Sequence, residues 1–254
     1  LAIEINENYY HSEIGGEKDK DYHLRKTNMC LNKNIQLIHI FEDEILFKKD
    51  IVFSMILSKI NLTEKIYARK CKILEVSSLE KKQFLTNNHI QSDTKDSIRL
   101  GLYYENQLIG LMTFINLRKS LGNNNNVNSM FELVRFCPKI GFSIYGGFSK
   151  LLSHFISQYK PIKIVTFSDN RYSSSKPEET VYCKNGFNFI NKIKPRYWYF
   201  KKGDYLRRYH RFQFNKKQLL KQINSPGLTE WDIAQLLGMD RIWDCGNMKF
   251  VLDF

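Results

Sequence analysis

The sequence predicts an α/β (α+β) chain of two consecutive domains followed by a basic, partly helical C-terminal tail. Three observations predict it. Strand-like and helix-like apolar patterns alternate from Ala2 onward. The pattern then changes across the polar stretch Asn61–Arg69, after which an alternating hairpin opens a new unit. Finally, Asp204 is the only acidic residue between Pro195 and Lys221. With 254 residues the chain has room for two ordinary domains, and its 43% hydrophobic and 14% aromatic content supplies their cores.

Taken in order, Ala2–Ile5 reads as a strand and Asn6–Asp21, with Gly15-Gly16, as a loop. Tyr22–Lys33 places Leu24, Met29 and Leu31 among lysines and arginines, the mark of a short amphipathic helix. Ile35–Phe41 is a buried strand and Lys48–Leu57 a second helix, with Asn61–Arg69 as linker. Beyond it come a strand at Lys72–Val76, a cap at Ser77 or Ser78, and a helix over Leu79–Asn87. Ser97–Tyr104 and Gln107–Ile115 alternate around Glu105-Asn106 as a hairpin, and Ser120–Ser129, with its run Asn123–Asn126, is a polar loop. Phe131–Cys137 is a strand, Gly141–Gly147 a turn, Ser149–Tyr159 a helix and Ile162–Phe167 a strand. A helix over Glu178–Asn185 ends at Gly186, and Phe187–Ile193 and Tyr197–Lys201 are the last strands before a tail that closes on the strand-like Lys249–Asp253.

Lysine and arginine total 39 against 26 acidic residues, a net charge of +13 that favours a polyanionic partner. The five cysteines are scattered, with no CxxC pair, which points to reduced thiols in an intracellular compartment. No apolar run approaches the roughly 20 residues that span a bilayer. Leu1–Ile5 is too short for a signal peptide, so no membrane association is expected.

Chemistry-bearing residues open the chain. Glu4 at the end of a strand can hold Mg²⁺ (or Mn²⁺). His11 can orient or deprotonate a water, and His23 and Lys26 share a helix face from which a cation can stabilise a phosphorane. The segments Ala2-Ile3-Glu4, Tyr10-His11-Ser12-Glu13, Tyr22-His23-Leu24 and Gln36-Leu37-Ile38-His39-Ile40-Phe41-Glu42-Asp43-Glu44 resemble the very-short-patch-repair-like (EDxHD) homing endonucleases of phages and large DNA viruses. The resemblance implies a restriction-endonuclease-like domain over residues 1–65, with Glu4 as metal ligand and His11 beside the scissile phosphate. It also implies catalytic roles for His23 and Lys26, and a supporting one for Glu42 and Asp43. Family members carry an earlier strand with a metal-binding aspartate, so this domain is expected to be N-terminally truncated. The host cytoplasm or nucleus is the compartment implied.

Residues 66–212 resemble the GNAT-like (acyltransferase-like) domain fused to such nucleases, on the hairpin, on Phe131-Glu132-Leu133-Val134-Arg135-Phe136-Cys137 and on Gly141-Phe142-Ser143-Ile144-Tyr145-Gly146-Gly147-Phe148-Ser149-Lys150. A glycine turn feeding a helix N-terminus exposes N–H groups to phosphate. The resemblance would place acetyl-CoA at Phe136, Gly141, Gly146, Gly147 and Ser149, as the lesser of the two cofactor expectations. Arg196, Lys201, Lys202, Arg207, Arg208 and Arg211, interleaved with aromatics, form the expected contact to double-stranded DNA. The tail, residues 213–254, is expected to pack on the second domain, with Trp231 and Trp243 as anchors. The function expected is therefore homing-type endonuclease, a metal-dependent hydrolase of DNA phosphodiesters. Its alternatives are a GNAT-like acyltransferase and a non-catalytic DNA-binding protein.

Overall fold

The computed structural model of the chain describes residues 1–121, 129–174, 176–223 and 227–254, so the asparagine run Asn123–Asn126 lies outside the described residues. In chain order the elements are β1 (Ala2–Asn6), α1 (Tyr22–Leu31), β2 (Leu37–Phe41), α2 (Glu42–Lys59), β3 (Glu64–Tyr67), β4 (Lys72–Glu75) and α3 (Ser78–Asn88). There follow β5 (Ile98–Tyr104), β6 (Gln107–Asn116), β7 (Met130–Pro138), β8 (Phe142–Tyr145), α4 (Gly147–Tyr159), β9 (Lys163–Asp169) and β10 (Asn188–Ile193). The last are β11 (Tyr197–Lys201), β12 (Asp204–His210), α5 (Lys216–Leu219), α6 (Glu230–Leu236), β13 (Met239–Trp243) and β14 (Asn247–Asp253). The fold is mixed α/β. None of the described helices is long and apolar enough to cross a membrane.

Two compact units interleave along the chain. The first holds Leu1–Phe47, Asp169–Lys176 and Lys192–Met248; the second holds Lys48–Ser168, Pro177–Asn191 and Lys249–Phe254. These bounds differ from the consecutive segments 1–65, 66–212 and 213–254. The first boundary falls inside α2, where Lys48 leaves helical geometry at φ −139° and ψ 33°.

In the first unit β1 and β2 pair in parallel, with Glu4 opposite His39. All five residues of β2 are buried, as the run Leu-Ile-His-Ile-Phe requires of a strand covered on both faces. A separate antiparallel sheet has the order β12-β11-β13. Its cores are Phe41, Phe200 and Ile242 on one side and Tyr199, Leu219, Ile233, Ala234 and Met239 on the other. Thr229 and Asp232 form a capping box that starts α6. The restriction-endonuclease-like expectation is corrected here: the described residues form a parallel pair beside a three-stranded sheet, not one sheet flanked by helices.

The second unit is built on a seven-stranded sheet of order β10-β14-β9-β7-β6-β5-β4. Strand alternation sends side chains to two faces. On one, Leu111 and Cys137 pack with Phe84 and Leu85 of α3. On the other, Phe114 stacks on Phe155 of α4 at 3.6 Å, and Phe136 meets Phe148 edge-on at 5.1 Å. Helix α3 starts at Ser77, whose hydroxyl accepts from the Glu80 N–H as its capping role demands.

Three local expectations are also corrected. Glu178–Asn185 is two 3-10 turns, Pro177–Glu179 and Cys183–Asn185, because the proline opens a segment too short for an α-helix. The linker contains β3, and the glycine turn contains β8, which pair in parallel from Glu64↔Phe142 to Tyr67↔Tyr145. Residues of the expected tail form β14, an internal strand of the large sheet.

Candidate functional site

The four residues expected to be catalytic in the first unit do converge. The Lys26 ammonium bonds Oε1 of Glu4, and Nδ1 of His39 lies 3.3 Å from the other carboxylate oxygen. The Thr27 hydroxyl donates to the His23 carbonyl at 3.0 Å and meets Nε2 of His39 at 2.9 Å. His11 Nδ1 is 3.1 Å from His23 Nε2, with the two rings stacked. Burial, then the charges of Arg171 and Lys26, pushes His39 down to about 3. Burial, then His39 and His11, pushes His23 down to about 2. Both rings are therefore neutral at pH 7, and the Glu4 charge is compensated by Lys26. His39 is a member that sequence reasoning had placed only within a strand; its position opposite Glu4 follows from the β1–β2 register.

Beside this cluster lies a buried ionic network. Arg208 donates from Nε to Asp43 at 2.6 Å and from Nη2 to Glu44 at 2.9 Å, with its guanidinium 3.8 Å from the Phe41 ring centroid. Arg171 and the Tyr172 hydroxyl reach the same Glu44 oxygen at 2.9 and 2.8 Å. Against the cost of burial, Arg171 and Arg208 hold Glu44 at about 2. Among the residues expected to meet nucleic acid, Arg208 is thus committed within the unit, and Arg211 packs over Tyr197 at 4.8 Å. Arg196, Lys201, Lys202 and Arg207 are exposed. Arg241 lies between Trp231 and Trp243, at 4.1 and 4.9 Å, and bonds Glu13.

In the second unit the notable geometry is where two parallel strands part. β7 and β9 pair only over Met130↔Lys163, Phe131↔Ile164 and Glu132↔Val165. Beyond Glu132, β7 continues against β6 alone, and its register there slips from Phe114↔Leu133 to Thr113↔Arg135, leaving Val134 as a bulge. The Thr166 hydroxyl donates to the Leu133 carbonyl at 3.0 Å, replacing the ladder where it ends. Among the described residues the β7–β9 pairing does not continue past this point, and the Val134 carbonyl accepts from Arg135 Nη1 at 2.9 Å.

The glycine turn lies after this parting. Gly146 caps α4 at φ 74°, in the left-handed region where a side chain is disfavoured. A Cβ at Gly146 would meet nothing closer than 3.9 Å, whereas one at the buried Gly147 would stand 2.9 Å from Ile144 Cγ2. This makes a cradle open above Gly146 and close-packed beneath Gly147, with the first N–H groups of α4 free of intrahelical partners. The Ser149 hydroxyl donates to the Gly146 carbonyl at 3.0 Å. Phe136 packs under the cradle through Phe148. Gly141 adopts φ 83° in the turn before β8, where its N–H donates to Ser54 Oγ at 2.8 Å. Tyr182 touches Phe148 at 5.7 Å, and burial raises its phenol, leaving it a neutral donor at pH 7. Sequence reasoning missed Tyr182, Thr166 and Arg135. Arg135 alone had a visible signal, a single cation inside an apolar strand run.

No family model matches the chain, and no curated protein matches it. Solved structures do. A Bacillus subtilis acetyltransferase in complex with CoA is 15% identical, at a TM-score of 0.41 over 73% of this chain and 99% of that one. A GNAT family acetyltransferase from Elizabethkingia anophelis with acetyl-CoA bound is 12% identical, at 0.40 over 73% and 99%. An N-acetyltransferase from Staphylococcus aureus is 12% identical, at 0.39 over 72% and 98%.

The endonuclease expectation is corrected. Among the described residues no group of three or more His, Cys, Asp and Glu side chains is placed to hold a metal. The Mg²⁺ or Mn²⁺ expected at Glu4 falls with it, because Lys26 and His39 occupy that carboxylate. Two of these structures hold CoA or acetyl-CoA.

Proposed function

We propose that the second unit is an acyl-CoA-dependent acyltransferase, most simply an N-acetyltransferase. The observation that carries this reading is the parting of β7 from β9 at Glu132, beside the Val134 bulge and ahead of the Gly146-Gly147 cradle. The cradle and the α4 N-terminus fit a pyrophosphate, and the edge of β7 past the parting fits an extended amide arm. Acetyl-CoA supplies a thioester when bound. The N–H groups at the bulge polarise the acyl carbonyl as charge develops on its oxygen. Acyl transfer forms a C–N bond and breaks the C–S bond; the amine's proton leaves the nitrogen and one proton ends on the thiol. Tyr182, held neutral by burial and edge-on to Phe148 of α4, is the donor proposed for the thiolate.

The test is thermal unfolding with CoA, followed by thiol release from acetyl-CoA in the presence of amines. A ligand binding only the native state stabilises it by about 2.7 kcal/mol at a hundredfold excess over Kd. No shift at millimolar CoA would overturn the reading.

A second proposal concerns partners. The exposed Arg196, Lys201, Lys202 and Arg207 lie on or beside the β11–β12 hairpin of a chain of net charge +13. We propose that this face contacts double-stranded DNA without cutting it. Binding that weakens steeply with salt is expected, and retention unaffected by neutralising these four residues would refute it.

A further inference from the structure

Among the described residues Arg135 has no counter-ion. It stands on β7 one residue past the bulge, and its Nε is buried without a hydrogen-bond partner. Among the described residues its one hydrogen bond runs from Nη1 to the Val134 carbonyl at 2.9 Å. The ionisable groups that feel its charge are Tyr182, Cys137, Glu132, Asp93 and His89. None of them neutralises it. Glu132 is gripped by Arg118 at 3.0 Å, and Asp93 by Lys81 at 2.7 Å. His89 is held neutral by burial and by Arg135 and Lys48, and Tyr182 and Cys137 keep their protons at pH 7. A guanidinium largely withdrawn from water with every nearby carboxylate already engaged is costly unless something anionic joins it.

Its position says what that partner is. Side chains alternate along β7, so Arg135 shares the face of Cys137, which packs with Phe84 and Leu85 of α3. Phe136 points the other way, to Phe148 and the glycine cradle. The cation thus faces the α3 side, where the loop after α3 brings His89 and Asp93, and not the side on which a cofactor's phosphates would lie. We propose that the acyl acceptor carries an anionic oxygen group, a carboxylate or a phosphate, which Arg135 binds at the parting of β7 and β9. This rests on the acyl-transfer reading for the word acceptor, but not for the anion site itself.

The experiment uses the full chain and reads the melting temperature at constant ionic strength with three probes: succinate, inorganic phosphate and neutral succinamide. The expected result is a rise of several degrees with succinate or phosphate over chloride, none with succinamide, and loss of the rise in Arg135→Gln. Which anion gives the larger rise separates carboxylate from phosphate. Equal response to succinate and succinamide, or a rise retained in Arg135→Gln, overturns the proposal. If that variant does not fold, the charged and neutral probes still decide on the unaltered protein. Saturating CoA serves as the cross-check. If CoA abolishes the anion response, Arg135 serves the cofactor and the proposal falls. If CoA gives no shift while the Arg135-dependent response persists, acyl transfer fails and the anion site stands.

Discussion

Replacing Arg208 with alanine distinguishes a side chain that holds the protein together from one that holds a ligand. In the free chain its guanidinium is already spent, on Asp43 at 2.6 Å, on Glu44 at 2.9 Å and on the face of Phe41 at 3.8 Å. The Glu44 carboxyl lies at about 2 instead of 4.5, with burial opposing and Arg171 and then Arg208 favouring its charge. That difference is worth about 3 kcal/mol, and losing the second contributor removes on the order of 1 kcal/mol of it. The charge-assisted bond to Asp43 adds about 1.5–3 kcal/mol, and the desolvated stack on Phe41 up to about 2. The sum, about 2.5–6 kcal/mol, brackets the usual cost of about 3–5 kcal/mol for removing one partner from a buried pair. All three tryptophans, Trp198, Trp231 and Trp243, lie in the first unit, so their fluorescence in a urea titration reads that unit. A loss below about 1 kcal/mol would refute the reasoning, and Arg207→Ala, on the exposed neighbour, should stay within about 0.5 kcal/mol.

Other outcomes are expected. Gly147→Ala places a methyl 2.9 Å from Ile144 Cγ2 and 3.2 Å from Leu102 Cδ1; it should cost about 1–3 kcal/mol and weaken the CoA-induced shift, measured by calorimetry. His23 and His39, depressed by burial to about 2 and about 3, stay neutral when folded but take up a proton when unfolded below pH 6.5. Their contribution is full above pH 6.5 and falls as pH drops, by roughly 2 kcal/mol each between pH 7 and 5. Asp244, raised by burial and Asp169 to about 6, acts in the opposite sense and offsets roughly 1 kcal/mol of this over the same range. His39→Gln should flatten the acid slope of the tryptophan-detected stability; an unchanged slope would count against the burial argument. Thr166→Val leaves the Leu133 carbonyl without its donor where β7 and β9 separate, and should cost about 1–3 kcal/mol in a urea melt.

Local chemistry made some of this legible in advance. Alternating apolar residues around Glu105-Asn106 marked the hairpin that became β5 and β6, and the glycine pair before an amphipathic run marked α4. What escaped was non-local. β3 and β8 are each four residues long, and neither carries a strand signal until the other lies beside it. β14 read as part of a tail because nothing within it reveals that β9 and β10 leave a place between them. In the site, the structure brings Glu4, His11, His23 and Lys26 together, but the metal expected at Glu4 does not fit there. Spacing shows which side chains can meet, but not that Lys26 and His39 would already occupy the carboxylate. Arg135 was passed over because a cation in a strand acquires meaning only once the carboxylates around it are seen to be engaged elsewhere.

The central sheet of the second unit sets an order of events during synthesis. β9 is translated before β10, but the strand that lies between them emerges only after the intervening 194–246 segment has left the ribosome. Until then two strand edges carrying Ile164, Val165, Phe189 and Ile190 are bare, and a nascent chain in that condition is open to pairing with other chains. Slow closure by so distant a strand is expected from the length of chain it must span. A shortage of chaperone during expression should therefore appear as aggregation of otherwise stable protein, and a separately supplied 247–254 peptide should compete for the gap in chains stopped before it.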